Sequence, residues 1–126
     1  MPQTKTILVI EDEADIRNFA SRVLGLEGYN VLQAEAGDKD LQLAREKECA
    51  LVLLDLRLPD PDGWSVLAEM KSEPALSAIP VIVFTASAGV AERDRVLKMG
   101  AADYLAKPLS AATLREAVAR ILHEAM

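Results

Sequence analysis

The stretch Ala50-Leu-Val-Leu-Leu-Asp55 places five apolar residues directly before a carboxylate. An apolar run of this length, without polar alternation, is typical of a parallel strand that is covered on both faces. The carboxylate that follows is costly to remove from water unless it has a partner. We therefore predict a buried strand over residues 50–54, and we predict that Asp55 is a functional group.

Similar apolar runs alternate with helical patterns on both sides of this stretch. We predict further strands over residues 6–10, 29–34, 81–84 and 102–106. Apolar residues at helical spacing predict helices within 16–24, from 37 onward, around 66–70, over 90–99 and after Ser110. Strand–helix units in this order build a parallel sheet with right-handed crossovers and helices on both faces. The sequence predicts a single α/β domain over residues 1–126, with a core of about 5–125 and a doubly wound sheet.

The composition limits the kinds of partner. The chain has 126 residues, of which 51% are hydrophobic, and this is enough for a core without disulfides or metals. The formal net charge is −6, with no block of Lys or Arg, so we expect no direct binding to nucleic acid. No signal peptide is visible, and no apolar run approaches the roughly 20 residues that span a bilayer. We expect a soluble, cytoplasmic protein with no membrane contact, and a buried, unreactive thiol at its single cysteine, Cys49.

Polar residues stand at the carboxyl ends of four predicted strands. They are Glu11 and Asp12 after the first strand, Asp55 after the third, Thr85 after the fourth and Lys107 after the fifth. In an open parallel sheet these ends lie at one edge, where ligands bind. We therefore expect these five side chains to lie close together, although they are distant in sequence.

Three carboxylates at one edge require positive charge. Two unit charges about 4 Å apart repel by roughly 4 kcal/mol at an effective dielectric of 20. Lys107 alone does not balance three negative groups, so a cation is expected. A set of oxygen ligands without His or Cys favours a hard ion, and Mg²⁺ is the predicted cofactor.

The same edge is suited to phosphoryl chemistry. Asp55 is placed as a carboxylate nucleophile that can form an aspartyl-phosphate. Mg²⁺ and Lys107 would stabilise charge on the transferring oxygens, and Thr85 would donate its hydroxyl to one of them. Transfer of this kind depends mainly on positioning and charge, so a site without a general base is sufficient.

The chain resembles the receiver domains of two-component response regulators over essentially its whole length. The matching pieces are Ile7-Leu-Val-Ile-Glu11-Asp12-Glu13, Leu51-Val-Leu-Leu-Asp55-Leu-Arg-Leu-Pro59, Asp62-Gly63, Val81-Ile-Val-Phe-Thr85-Ala86 and Gly100-Ala-Ala-Asp-Tyr104-Leu-Ala-Lys107-Pro108. Each piece is weak alone, but their order and spacing are specific. The resemblance implies a five-stranded, flavodoxin-like parallel sheet of strand order 2-1-3-4-5, with five helices on its two faces.

The resemblance also implies roles for individual residues. Asp55 would be the phospho-acceptor. Asp12 would bind Mg²⁺ directly and Glu11 through water, with Asp55 and the backbone carbonyl of Arg57 as further ligands. Lys107 would contact a phosphoryl oxygen and form a cis peptide bond with Pro108.

Four residues would switch or tune such a site. Thr85 and Tyr104 would be the switch pair, with Thr85 drawn to the phosphate and Tyr104 turning inward behind it. Arg57 and Ser87 would flank the route of an attacking water and tune the lifetime of the phosphoryl group. We expect the long, charged Arg57 to lean over the phosphate and slow its loss.

The resemblance implies partners rather than a separate substrate, so we do not expect an enzyme in the usual sense. A histidine kinase or a histidine phosphotransfer protein would supply the phosphoryl group. The fourth helix, fifth strand and fifth helix would form the surface for an unknown downstream protein. The protein would be a monomer or a phosphorylation-linked dimer, and either a stand-alone regulator or a piece of a longer protein.

Two other functions compete with this interpretation. A protein-interaction module on the same fold could work independently of phosphorylation, although none of the five site residues has been lost. A phosphatase of the haloacid dehalogenase type also forms an aspartyl-phosphate. Such enzymes carry Asp-x-Asp-x-Thr, whereas Asp55 is followed here by Leu-Arg-Leu.

Overall fold

A computed structural model describes residues 4–35, 37–58, 62–86 and 89–124, except for the side chains of 37–40 and 124. The strands are β1 Thr6–Ile10, β2 Asn30–Ala34, β3 Leu51–Asp55, β4 Val81–Thr85 and β5 Asp103–Ala106. The helices are α1 Ala14–Leu26, α2 Gly37–Glu46, α3 Gly63–Ser72, α4 Val90–Lys98 and α5 Ala111–Glu124. Strands and helices alternate throughout, as the apolar patterns predict.

The strands form one parallel sheet in the order β2-β1-β3-β4-β5. The predicted fold and strand order are therefore confirmed. Because β1 lies between β2 and β3, the chain continues from β1 to β2 on one side and then crosses to β3 on the other side. At the junction of β1 and β3, Ile10 is in register with Leu54. This junction is the topological switch point, where open α/β sheets bind ligands.

The sheet is buried on both faces. Because successive side chains of a strand point to opposite faces, Leu51 and Leu53 of β3 pack on one side while Val52 and Leu54 pack on the other. The first side is covered by α1 and α5, and the second by α2, α3 and α4. Two cores on one sheet explain why β3 and β4 carry no polar residue before their carboxyl ends.

Several element ends differ from the prediction by one residue. Strands β3 and β4 continue through Asp55 and Thr85, because the ladder still pairs Asp55 with Phe84 and Thr85 with Ala106. Backbone pairing does not depend on side-chain polarity, so the strands extend into the polar residues. Ser110 caps the last helix, since its Oγ accepts a hydrogen bond from the Thr113 N–H at 3.0 Å.

Candidate functional site

Three carboxylates meet at the carboxyl ends of β1 and β3. Glu11 and Asp12 follow β1, and Asp55 is the last residue of β3. Each offers a carboxylate oxygen, and these oxygens lie within 4.8 Å of one another. Glu11 and Asp55 are almost completely buried, whereas Asp12 is exposed. The trio that the topology predicts is therefore close enough to share one ligand.

Lys107, which follows β5, reaches two of these carboxylates. Its Nζ lies 2.9 Å from Glu11 Oε2 and 3.4 Å from Asp55 Oδ2. Burial alone would lower the pKa of this ammonium, but the Glu11 and Asp55 carboxylates outweigh burial and raise its pKa. Lys107 therefore stays charged at the centre of the cluster. The Lys107–Pro108 peptide bond is cis, as the resemblance implies.

Glu11 has one satisfied oxygen and one that lacks a hydrogen bond. Oε1 accepts a hydrogen bond from the Glu13 N–H at 3.0 Å. Oε2 lies 2.9 Å from the Lys107 ammonium in an ion pair. Within the described part of the chain it is the only buried side-chain oxygen or nitrogen that makes no hydrogen bond. Burial raises the pKa of Glu11 to about 7, although Lys107 and the Glu13 N–H act to lower it.

This donor set fits Mg²⁺. The three groups offer only oxygen atoms, which hard divalent cations prefer, and one of those oxygens is buried without a hydrogen bond. A cation would also offset the repulsion among the carboxylates, which a single ammonium does not cancel. The described residues thus fit the predicted cofactor.

Asp55 is held by the backbone that follows it. Its Oδ1 accepts a hydrogen bond from the Arg57 N–H at 3.0 Å, and the residue is 1% exposed. Gly63, the first residue of α3, packs against this backbone and donates its N–H to the Leu56 carbonyl at 3.1 Å. A Cβ at Gly63 would overlap the Asp55 carbonyl oxygen and the Leu56 Cα. Only glycine therefore lets α3 approach Asp55 so closely.

Sequence reasoning noted Gly63 only as part of the Asp62-Gly63 match and missed its role. The neighbouring Asp62 was also missed as a helix cap, although its side chain accepts a hydrogen bond from the Ser65 N–H at 2.8 Å. A glycine that directly follows a capping residue at a predicted helix start is the signal that could have indicated close packing.

Thr85 and Tyr104 lie on neighbouring strands. Thr85 ends β4 and is completely buried, and its carbonyl accepts a hydrogen bond from the Lys107 N–H at 2.9 Å. Tyr104 lies on β5 and is 8% exposed. Its hydroxyl donates to Glu92 Oε1 at 2.6 Å and accepts from the Gly89 N–H at 3.4 Å.

The structure places the Arg57 side chain beside α4. Arg57 Nη2 lies 3.3 Å from Glu92 Oε2, and the side chain is about half exposed. Sequence reasoning did not single out Glu92, because an acidic residue in the first turn of a helix is typical of a charge that complements the helix dipole. Ser87, the other predicted tuning residue, lies outside the described residues, as does Pro59 of the matching pieces.

No helix within the described ranges combines the length and the apolar character that crossing a bilayer requires. This finding concerns only the segments that the structure describes.

Known proteins with similar sequences are regulators, and two of them align with most of this chain. "Probable transcriptional regulator ycf27" of Porphyridium aerugineum is 38% identical over 120 residues, which cover 95% of this chain and 49% of that protein. The "Phosphate regulon transcriptional regulatory protein PhoB" of Escherichia coli (strain K12) is 38% identical over 117 residues, or 93% of this chain and 50% of that protein. The chain thus spans about half the length of these curated relatives.

A solved structure and a family model also match this chain. The CheY-like response regulator receiver domain protein from Methanospirillum hungatei JF-1 superposes with a TM-score of 0.87 at 28% identity, covering 97% of this chain and 96% of that one. Residues 7–119 match the family model described as the response regulator receiver domain. With its strand order, its acidic edge and this match over most of its length, the chain belongs to the receiver domain family of two-component response regulators.

Proposed function

We propose that this domain is a phosphorylation-driven signalling switch in which Asp55 accepts a phosphoryl group. The donor would be the phosphohistidine of a histidine kinase or of a histidine phosphotransfer protein. One observation carries the proposal: Lys107 Nζ lies 2.9 Å from Glu11 and 3.4 Å from Asp55, beside three carboxylates within 4.8 Å of one another. Such a cluster combines a nucleophile, a fixed positive charge and the ligands for a metal.

The transfer forms one bond and breaks another. A carboxylate oxygen of Asp55 bonds to phosphorus, the P–N bond of the donor breaks, and its electron pair returns to the imidazole nitrogen. Lys107 provides positive charge for the phosphoryl oxygens, and the Thr85 hydroxyl donates to one of them. Positioning and charge account for most of the catalysis of such transfers, so no general base is needed.

Asp12 would hold Mg²⁺ directly and Glu11 through water, with Asp55 and the backbone carbonyl of Arg57 as further ligands. The buried Glu11 Oε2 without a hydrogen bond supports this ligand set. When bound, the ion supplies positive charge that neutralises the transferring oxygens.

The response to phosphorylation would run through Thr85 and Tyr104. Thr85 would move toward the phosphoryl group, and Tyr104 would follow behind it. This change would alter the surface formed by α4, β5 and α5, which a downstream protein then binds more tightly in one state than in the other. Two close relatives are named as transcriptional regulators, but the net charge of −6 argues that this domain itself does not contact nucleic acid.

Arg57 and Ser87 would set the lifetime of the phosphoryl group by controlling the approach of water. Because Arg57 pairs with Glu92, it would first have to leave that carboxylate in order to cover the phosphate. Comparison of phosphate lifetimes in the wild type and in Arg57→Ala tests this role, and an unchanged lifetime refutes it. The domain would act in the cytoplasm on no separate substrate, as a monomer or a phosphorylation-linked dimer.

The test is incubation with acetyl phosphate and Mg²⁺, followed by intact-mass measurement. We expect the mass of one phosphoryl group to be added to the wild type and to Asp94→Asn, a matched change on the exposed side of α4. We expect no adduct in Asp55→Asn or in the presence of EDTA. Absence of an adduct in the wild type would contradict the proposal and favour a phosphorylation-independent interaction module.

A further inference from the structure

The carboxylate of Glu92 is divided between two partners from different parts of the fold. Its Oε1 accepts a hydrogen bond from the Tyr104 hydroxyl at 2.6 Å, and its Oε2 lies 3.3 Å from Arg57 Nη2. The side chain is 18% exposed, so solvent does not fully screen these contacts. A single side chain of α4 therefore joins the loop after β3 to the tyrosine of β5.

The other end of this connection is the phospho-acceptor. The Arg57 backbone N–H donates to Asp55 Oδ1 at 3.0 Å, while the guanidinium of the same residue pairs with Glu92. A short path of contacts thus leads from Asp55 through Arg57 and Glu92 to Tyr104.

We propose that Glu92 is a positioning residue that ties Tyr104 to Arg57, so that a phosphoryl group on Asp55 acts on Tyr104 by competing with Glu92 for the Arg57 guanidinium. This inference rests on the proposed function, since it concerns how the modified Asp55 is sensed. It assigns to Glu92 a role that the match to the family motifs does not contain.

The competition follows from charge. A phosphoryl group adds about −1.5 to −2 charge at neutral pH and offers oxygens that the planar guanidinium binds well. The pair between Arg57 and Glu92 is half exposed on the arginine side, and such pairs contribute only about 0–1 kcal/mol. Arg57 is therefore able to exchange one anion for the other.

The consequence for Tyr104 follows from the rigidity of a carboxylate. The two oxygens of Glu92 are fixed to one carbon, so one does not move without the other. While Arg57 holds Oε2, Oε1 is oriented toward the Tyr104 hydroxyl. When Arg57 leaves, the carboxylate turns toward solvent and the hydroxyl loses its oriented acceptor, which frees the ring to change position.

The chain offers a direct reporter of this event. It contains two tyrosines, so 3-fluorotyrosine in a Tyr29→Phe background labels Tyr104 alone. In this background we expect the ¹⁹F resonance to move when acetyl phosphate and Mg²⁺ are added. Without a phosphodonor, we expect Glu92→Gln and Arg57→Met each to move it toward the phosphorylated position, changing the ratio of the two Tyr104 populations by about fivefold or more. The two changes together should move it no further than Glu92→Gln alone.

Three variants separate this role from a general charge effect. Glu92→Asp keeps the charge at the start of α4 but shortens the side chain, so the resonance should move, whereas a charge that only complements the helix dipole predicts no movement. Asp94→Asn and Arg22→Met remove exposed charges elsewhere and should leave the resonance in place. Circular dichroism verifies that each variant is folded.

The outcomes distinguish failure of this inference from failure of the proposed function. If the wild type forms the adduct but Glu92→Gln, Glu92→Asp and Arg57→Met leave the resonance at its wild-type position, the role of Glu92 is refuted and the switch stands. If the wild type forms no adduct by mass, the proposed function fails and the competition at Arg57 fails with it. The variants would then still show whether Glu92 holds Tyr104.

Discussion

Lys107 and Glu11 form a buried ion pair, with Nζ 2.9 Å from Oε2, although they come from opposite ends of the chain. The Glu11 residue is 0% exposed, and the Lys107 side chain is 11% exposed. The pair exists because β1 and β5 end at the same edge of a parallel sheet. It gives the site a fixed positive charge, and it makes the stability of the domain depend on residues that the proposed phosphoryl transfer also needs.

Lys107→Met should destabilise the metal-free protein. Loss of one partner of a buried ion pair leaves the other charge uncompensated, which costs about 3 kcal/mol. We expect the free energy of unfolding, measured by urea denaturation at pH 7.5, to fall by this amount. A second change, Glu11→Gln, should recover most of the loss because it removes the uncompensated charge. Equal stability of Lys107→Met and the exposed-site control Lys98→Met would show that the pair contributes nothing.

Stabilisation by Mg²⁺ should increase with pH. The pKa of Glu11 is raised from 4.5 to about 7, so the folded protein binds more protons there than the unfolded chain between these values. This group's contribution to stability is therefore lost as the pH rises from about 4.5 to 7. Mg²⁺ requires the ionised carboxylate, so the rise in unfolding midpoint on adding Mg²⁺ should be larger at pH 8 than at pH 6.

The control for this pH dependence is Glu11→Gln, in which the increment from Mg²⁺ should be smaller and should change little with pH. Differential scanning calorimetry at matched ionic strength measures both proteins. A wild-type increment that is the same at pH 6 and pH 8 would contradict the assignment of Glu11.

The same substitution should have opposite effects at two glycines. Gly63→Ala forces a methyl group into the backbone that follows Asp55, and overpacking of this kind costs about 1–3 kcal/mol. Gly25→Ala, near the end of α1, meets nothing within 4 Å and should stabilise the protein by about 0.5–1 kcal/mol. Urea denaturation measures both. The packing argument is wrong if Gly63→Ala is as stable as the wild type.

Cys49 should resist thiol reagents in the native protein. It is 6% exposed, and burial raises the pKa of its thiol, so little thiolate is available to react. We expect modification by 5,5′-dithiobis(2-nitrobenzoate) to be slow at pH 8 and complete within the dead time after unfolding in guanidinium. Rapid modification of the folded protein would show that this region opens readily.

The fold could be predicted from sequence because its signals are local. The apolar runs of β1, β3 and β4 have no polar alternation, which is typical of strands that are buried on both faces. The segments between them have apolar residues at helical spacing. The parallel arrangement then follows from the connections, and the common edge of the strand ends follows from the parallel arrangement. The nearness of Glu11, Asp12, Asp55 and Lys107 was therefore predictable without coordinates.

The roles of Glu92 and Gly63 were not predictable in this way. An acidic residue at the start of a helix has the same local pattern whether it faces solvent or holds a tyrosine, and a glycine after a capping aspartate does not indicate what lies beneath it. The contacts that give these residues their importance come from other elements.

By itself, the sequence determined the order of the elements, the burial of the sheet and the set of groups at its edge, because hydrophobic period and chain connectivity are properties of neighbouring residues. Only the tertiary structure decided which oxygen of Glu11 lacks a hydrogen bond, how closely α3 approaches Asp55, and that Arg57 and Tyr104 share one carboxylate. Those features depend on distances of a few ångströms between elements, which are set by the packing of the whole domain.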